Sequence, residues 1–166
     1  MIIINYSPLV FSKTKQFIEN YWAGIAKAIA GTGLFFPAMV AQSALESGYG
    51  EHIPKNSNNF GGIKYAPNLE GVIGYVIADS VEIIGNKATP VKFSRFVDVE
   101  AGFKAHIRVL LNERYKKARL DATTPEEQIL MIAKAGYTLT PAKEYLRRMQ
   151  SIINAARDYS ELGRIS

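Results

Sequence analysis

The chain has 166 residues, enough for one ordinary domain and too few for two comfortable ones. Its hydrophobic share of 48% and charged share of 21% exclude wholesale disorder, and the absence of cysteine excludes disulfides, thiolate metal sites and a cysteine nucleophile. Twenty Lys and Arg against fifteen Asp and Glu give a net charge of +5, which points to a polyanionic partner (nucleic acid, anionic lipid or an acidic wall polymer) without choosing among them. With only His52 and His106 the usual His-rich zinc cage is not expected, and neither is any metal or cofactor.

The first residues, Met1 to Pro8, lack the positive start, long apolar stretch and cleavage site of a signal peptide. No apolar run reaches the ~20 residues of a membrane span. From Ser12, a plausible N-cap, Phe17, Ile18, Tyr21, Trp22, Ile25 and Ile29 recur at helical spacing until Gly31 and Gly33 stop the helix. A second helix is predicted from Pro37 through Glu46 and closes at Gly48 and Gly50. Residues 51–71, rich in Asn, Gly, Pro and Ser, read as a long functional loop. Val72–Ala78 and Val91–Phe96 read as two strands, with Gly85-Asn86 as turn material and Pro90 just before the second. Asp98 caps a helix carrying Phe103, Ile107, Leu110 and Leu111. Thr124-Pro125-Glu126-Glu127 is a capping box for a helix ending near Gly136, and Thr140-Pro141 opens the last helix.

Glu46 closes a short apolar helix. Apolar surroundings and the negative end of the helix dipole both disfavour its charged form, and a carboxyl kept protonated is what a general acid requires. On position alone the simpler reading is a solvated helix-end glutamate. Tyr49, Phe60, Tyr65 and Tyr137 can stack on a ligand's apolar faces, and Asn58 and Asn59 can hydrogen-bond its polar groups. The tyrosines can instead be core residues, and the asparagines turn residues.

The stretch Ala41-Gln42-Ser43-Ala44-Leu45-Glu46-Ser47-Gly48-Tyr49-Gly50, then Ser57-Asn58-Asn59-Phe60-Gly61-Gly62-Ile63-Lys64, resembles the peptidoglycan hydrolases of glycoside hydrolase family 73. The likeness continues through Phe93-Ser94-Arg95-Phe96, Leu111-Asn112-Glu113-Arg114-Tyr115 and Ala135-Gly136-Tyr137-Thr138 to Pro141 and Tyr145. The resemblance implies a lysozyme-like α+β fold: one domain over 1–166, mostly helical, with a small β-hairpin lobe over roughly 65–97 beside the cleft. It implies an endo-β-N-acetylglucosaminidase, of the kind found among autolysins, with Glu46 as general acid. The second carboxylate maps onto Glu82 in Ser80-Val81-Glu82, with Glu70 as a backup, and a catalytic or positioning role falls on Tyr137. Gln42, Tyr49, Asn58, Asn59, Phe60 and Tyr65 are the expected substrate contacts. Gly61 falls where the family commonly has an aromatic residue, so Phe60 stands in for it or one sugar subsite is altered.

The expected partner is the peptidoglycan glycan strand, met by a monomer at the bacterial wall, extracellular or periplasmic, with no nucleic acid and no membrane span. The rivals are an N-acetylmuramidase or lytic transglycosylase, which share the fold and the helix-borne acid, and a wall-binding module that cuts nothing. A basic nucleic-acid binder is opposed by the lack of a basic–aromatic recognition motif. His52 reads as a surface residue, His106 as a packing residue, and the Arg114, Lys116, Lys117, Arg119 cluster as a solvated face.

Overall fold

The computed structural model describes residues 8–80 and 89–159. Helix α1 (Pro8–Ile29) buries the expected stripe, with Phe17, Ile18, Ile25 and Ile29 in the core. It starts a turn earlier than Ser12, on a proline suited to a first helical turn, so Ser12 lies exposed inside the helix and caps nothing. Helix α2 (Phe36–Glu46) has every residue from Ala38 to Ala44 buried. A helix apolar on all sides belongs at the centre of a domain, and α2 lies among α1, α5 (Pro125–Ile132) and α6 (Ala142–Tyr159).

The buried Gln128 ties α5 to the α1–α2 turn. Its amide oxygen accepts from Phe35 N–H at 2.8 Å, and its NH₂ donates to the carbonyls of Gly33 and Ala118, both at 2.9 Å. At the other end of α2, Ser47 N–H and Oγ both donate to Ser43 O, and Tyr49 N–H donates to Ala44 O. The last carbonyls of the helix are thereby satisfied.

Strands β1 (Val72–Ser80) and β2 (Thr89–Phe96) pair antiparallel from Ser80↔Thr89 to Gly74↔Arg95, with an irregularity between Val72 and Gly74. Both run two residues further than expected, β1 at its end and β2 at its start; the Gly85-Asn86 turn lies outside the described residues. The stretch 63–65, expected to be plain loop, joins the other edge of β2. Lys64 bridges Phe93, Ser94 N–H donates to Ile63 O, and Tyr65 N–H donates to Lys92 O. Among the described residues no strand pairs with the outer edge of β1, whose outward face carries Ile73, Tyr75 and Ile77.

Asp98 caps α3 (Val99–Ile107) by accepting from Ala101 N–H at 2.8 Å. The helix expected to run through Leu111 breaks at Arg108 into 3₁₀ turns, Arg108–Leu111 and Glu113–Tyr115, before the short α4 (Lys116–Leu120). Thr124 caps α5 as expected, but the Glu127 carboxylate reaches back to Thr123 and not to the cap's own N–H. Helix α5 passes into a π-turn, Ala133–Tyr137, which Gly136 ends at φ 88°. Gly102 brings α3 against the loop: a Cβ there would sit 1.8 Å from the Asn58 carbonyl oxygen. No described helix is long and apolar enough to cross a membrane.

Candidate active site

The end of α2 delivers Glu46 to a cleft of about 560 Å³, bordered by the 51–62 loop and by Ala78, Asp79 and Phe93 of the hairpin. The Glu46 side chain keeps 28% of its surface open. Tyr137, at the end of the π-turn, donates its hydroxyl to Oε2 at 3.0 Å, and Tyr145 of α6 donates to Oε1 at 3.1 Å. His106 of α3 places Nε2 3.6 Å from Oε2. Three elements distant in sequence therefore converge on one carboxyl group.

Burial raises the Glu46 pKa above the usual carboxylate value, and the two hydroxyl donors pull it back only in part. The tyrosines are held protonated, chiefly by burial and then by the Glu46 charge, so both remain donors. His106 is buried, and desolvation lowers its pKa to about 4. The imidazole is neutral at neutral pH. A carboxyl whose proton is held more tightly than usual, open to solvent on one side and oriented by two donors, can give a proton to a leaving oxygen. Among the described residues no group of three or more His, Asp or Glu could hold a metal ion.

Several expected substrate contacts serve the scaffold. Phe60 is 2% exposed and stacks on Phe103 with ring centroids 4.0 Å apart, so it cannot replace an aromatic at Gly61. Burying that ring in the core gains more than leaving it at the rim. Asn59 is buried, and its amide group donates to Ile63 O and Ser94 O and accepts from Ile63 N–H, fixing the loop to β2. Asn58 donates to Phe96 O at 3.1 Å. Gln42 is fully buried behind the acid and donates to the Tyr145 hydroxyl at 3.5 Å. Tyr49 packs on the core from a left-handed backbone. Tyr65 stands outside the cleft lining, against Tyr75 with ring centroids 5.1 Å apart.

Glu82 lies outside the described residues. Asp79 borders the cleft, whereas Glu70 lines a separate hollow of about 830 Å³ with Asp98, Glu100 and Lys104. That hollow is the larger of the two but holds none of the residues around the acid. In the basic cluster, Arg119 bonds the carbonyls of Thr32 and Leu111, and Lys116 pairs with Glu113, so both are structural as well as solvated. Sequence reasoning missed His106 and Tyr145 as neighbours of the acid. Tyr145 stood within the family likeness, and a helical stripe that ends in a tyrosine hydroxyl was the available signal.

Residues 23–158 match the family model Glucosaminidase, described as mannosyl-glycoprotein endo-beta-N-acetylglucosaminidase. The chain belongs to the glucosaminidase family. Its described residues are mostly helical with a two-stranded sheet, and the family resemblance read from its motifs holds. It is 28% identical over 158 residues to the peptidoglycan hydrolase FlgJ of Pseudomonas aeruginosa, covering 90% of this chain but 38% of that protein's length. It is also similar to the glycoside hydrolase domain of Salmonella typhimurium FlgJ (TM-score 0.71, 25% identity, 89% of this chain and 91% of that one). A third likeness is to a peptidoglycan hydrolase from Sphingomonas sp. A1 (TM-score 0.65, 26% identity, 92% of this chain and 96% of that one).

Proposed function

We propose that this glucosaminidase-family chain cleaves the β-1,4 glycan backbone of peptidoglycan on the N-acetylglucosamine side, with Glu46 as the general acid. The observation that carries the reading is the Glu46 carboxyl itself, raised in pKa by burial, open to a cleft, and held through both oxygens by Tyr137 and Tyr145. A wall-binding module has no use for a carboxyl oriented in this way. The peptidoglycan hydrolases similar in sequence and structure support the substrate class. The substrate class puts its work at the wall, in the periplasm or outside the cell.

Glycoside cleavage needs an acid for the leaving oxygen and a group that activates water or stabilises the oxocarbenium-like centre. We assign the second role to Glu82, on the sequence match Ser80-Val81-Glu82. In β1, Val72, Gly74, Val76 and Ala78 are half-buried, while Ile73, Tyr75, Ile77 and Asp79 are exposed. A separation from Glu46 beyond the ~6.5–9.5 Å of inverting enzymes would leave hairpin closure, or assistance from the substrate's own acetamido group. Tyr137, nearest the open side, is assigned to orient the acid and contact the sugar.

Mass spectrometry of reduced fragments from purified peptidoglycan tests the bond specificity. N-acetylglucosamine at the new reducing ends is expected. Reducing N-acetylmuramic acid would identify a muramidase, anhydro ends a transglycosylase, and intact strands a binding module.

A further inference from the structure

His106 is a buried titratable group that the proposed mechanism does not use. Its side chain is 3% exposed, its Nε2 atom has no hydrogen-bond partner, and that atom stands 3.6 Å from Glu46 Oε2. The ring is held in place from the cleft side, because the loop backbone packs so closely that a Cβ on Gly61 would lie 2.9 Å from Nδ1. A buried polar atom aimed at a reacting carboxyl calls for a chemical account.

We propose that His106 is a positioning residue for the acid: its Nε2 lone pair accepts a hydrogen bond from the protonated Glu46 carboxyl and so keeps the proton on Oε2 until a glycosidic oxygen takes it. The inference rests on Glu46 being the acid. A protonated carboxyl has one hydrogen to place. Tyr137 and Tyr145 both donate to it, and the Gln42 amide behind them donates to Tyr145. Of the unpartnered buried acceptors among the described residues, Gln42 Oε1, Ser43 Oγ and His106 Nε2, the imidazole nitrogen is the one that stands 3.6 Å from the carboxyl, and it can accept only as a neutral ring without a hydrogen on that atom. The opposite tautomer would add a third donor, favour the anion and work against an acid. The 3.6 Å gap is a few tenths of an ångström too long for a hydrogen bond, and such contacts commonly tighten only when substrate binds.

The charged and titratable surroundings are few. Glu46, Tyr137 and Tyr145 face the ring from α2, the π-turn and α6. Glu51, His52, Lys55 and Asp79 border the cleft beyond, with Glu51 paired to Lys13. On α3 itself Glu100 and Lys104 pair with each other, and Arg108 follows on the surface. Glu46 alone of the described carboxylates stands within ion-pair distance of the ring, and burial keeps the imidazole neutral at neutral pH.

In the step itself the O–H bond of Glu46 breaks and its electron pair stays on Oε2. The proton passes to the glycosidic oxygen, which keeps the electron pair of the departing C–O bond. The carboxylate then accepts from the two tyrosines, and a proton returned from water at the end of the cycle restores the O–H···Nε2 contact.

Two measurements test this. With only two histidines in the chain, ¹⁵N NMR of histidine-labelled wild-type protein at pH 7 resolves both rings, and His106→Gln assigns them. Nδ1 protonated and Nε2 bare is expected for His106; a hydrogen on Nε2 overturns the proposal. The second is the alkaline limb of kcat/KM on purified glycan. His106→Leu should move it down by about one pH unit, while His106→Gln, whose amide oxygen can accept, should keep it near the wild-type position. A limb that stays or rises in His106→Leu, or falls equally in His106→Gln, overturns the proposal. If the leucine variant does not fold, the NMR result on wild-type protein still decides. An active Glu46→Gln would instead remove the underlying acid assignment, whatever His106 does.

Discussion

Tyr145 donates its hydroxyl to Oε1 of Glu46 at 3.1 Å, while the buried Gln42 donates to that same hydroxyl at 3.5 Å. The last helix thus sets the protonation of a residue on the second. Donors to a carboxylate stabilise the anion. Tyr145→Phe should therefore raise the Glu46 pKa and move the alkaline limb of activity to higher pH. It should also cost ~1–3 kcal/mol of stability, because Gln42 is left with a buried, unpartnered amide. Urea denaturation beside a pH–rate profile checks both, and a limb that moves down would contradict the arrangement.

Glu46→Gln should lower glycan cleavage at least ~10²-fold while leaving the fold intact. It should also stabilise the protein at neutral pH. Burial holds the Glu46 pKa above its unfolded value, so the native state keeps its proton longer than the unfolded chain does. Stability is then lost as pH rises from the unfolded value through the folded one, and glutamine has no such loss. Turbidity loss on purified walls and thermal melts at pH 7 test the pair of outcomes; more than a tenth of wild-type activity would sink the assignment.

His106 acts in the opposite sense. Burial lowers its pKa from 6.5 to about 4, so the unfolded chain takes up a proton before the native state does. Stability should fall as pH drops from 6.5 to about 4, by on the order of 3 kcal/mol from this group. His106→Gln should remove that part of the acid sensitivity. Denaturant midpoints of both proteins across pH 4 to 7 measure it, and parallel curves would refute it.

The hairpin carboxylates separate in one experiment. Glu82→Gln should be inactive on purified walls. Glu70→Gln should be fully active, because Glu70 lines a different hollow, and Asp79→Asn, at the rim, should keep most of its activity. An active Glu82→Gln beside a dead Asp79→Asn would reassign the second carboxylate.

Gly102→Ala should be severely destabilising, by ~3 kcal/mol or more, since a methyl group there meets the Asn58 backbone at 1.8 Å and neither helix nor loop can yield cheaply. Circular dichroism and expression yield would show it; a well-folded variant would mean the loop can shift.

Much of this molecule was legible in its sequence. The helices announced themselves by apolar spacing, by Asp98 and Thr124 as caps and by glycine stops, and the hairpin by its change of period. Glu46 was readable because the motif names it and the helix end explains it. The rest depended on which side chains the fold spends internally. Phe60 and Asn59 do border the cleft, but core packing holds the Phe60 ring and loop bonding engages the Asn59 amide. His106 carried no signal beyond its place on an amphipathic helix. Its proximity to Glu46 follows from the packing of α3 against the loop, which only tertiary structure reveals. The break at Arg108 was hidden because 3₁₀ turns preserve a roughly helical apolar spacing.

The open outer edge of β1 bears on how the protein behaves when crowded. Ile73, Tyr75 and Ile77 alternate along it at 52%, 45% and 64% exposure, and no other described strand covers that edge. An uncovered edge with apolar side chains is a template on which a second chain can add a strand, and natural proteins commonly guard such edges with lysine or a bulge. Here the irregularity at Val72–Gly74 guards one end only, and Lys92 reaches across to cover the Tyr75 ring at 4.3 Å. In concentrated preparations self-association would begin at this strand, and a lysine at Ile77 is the first change to make for solubility.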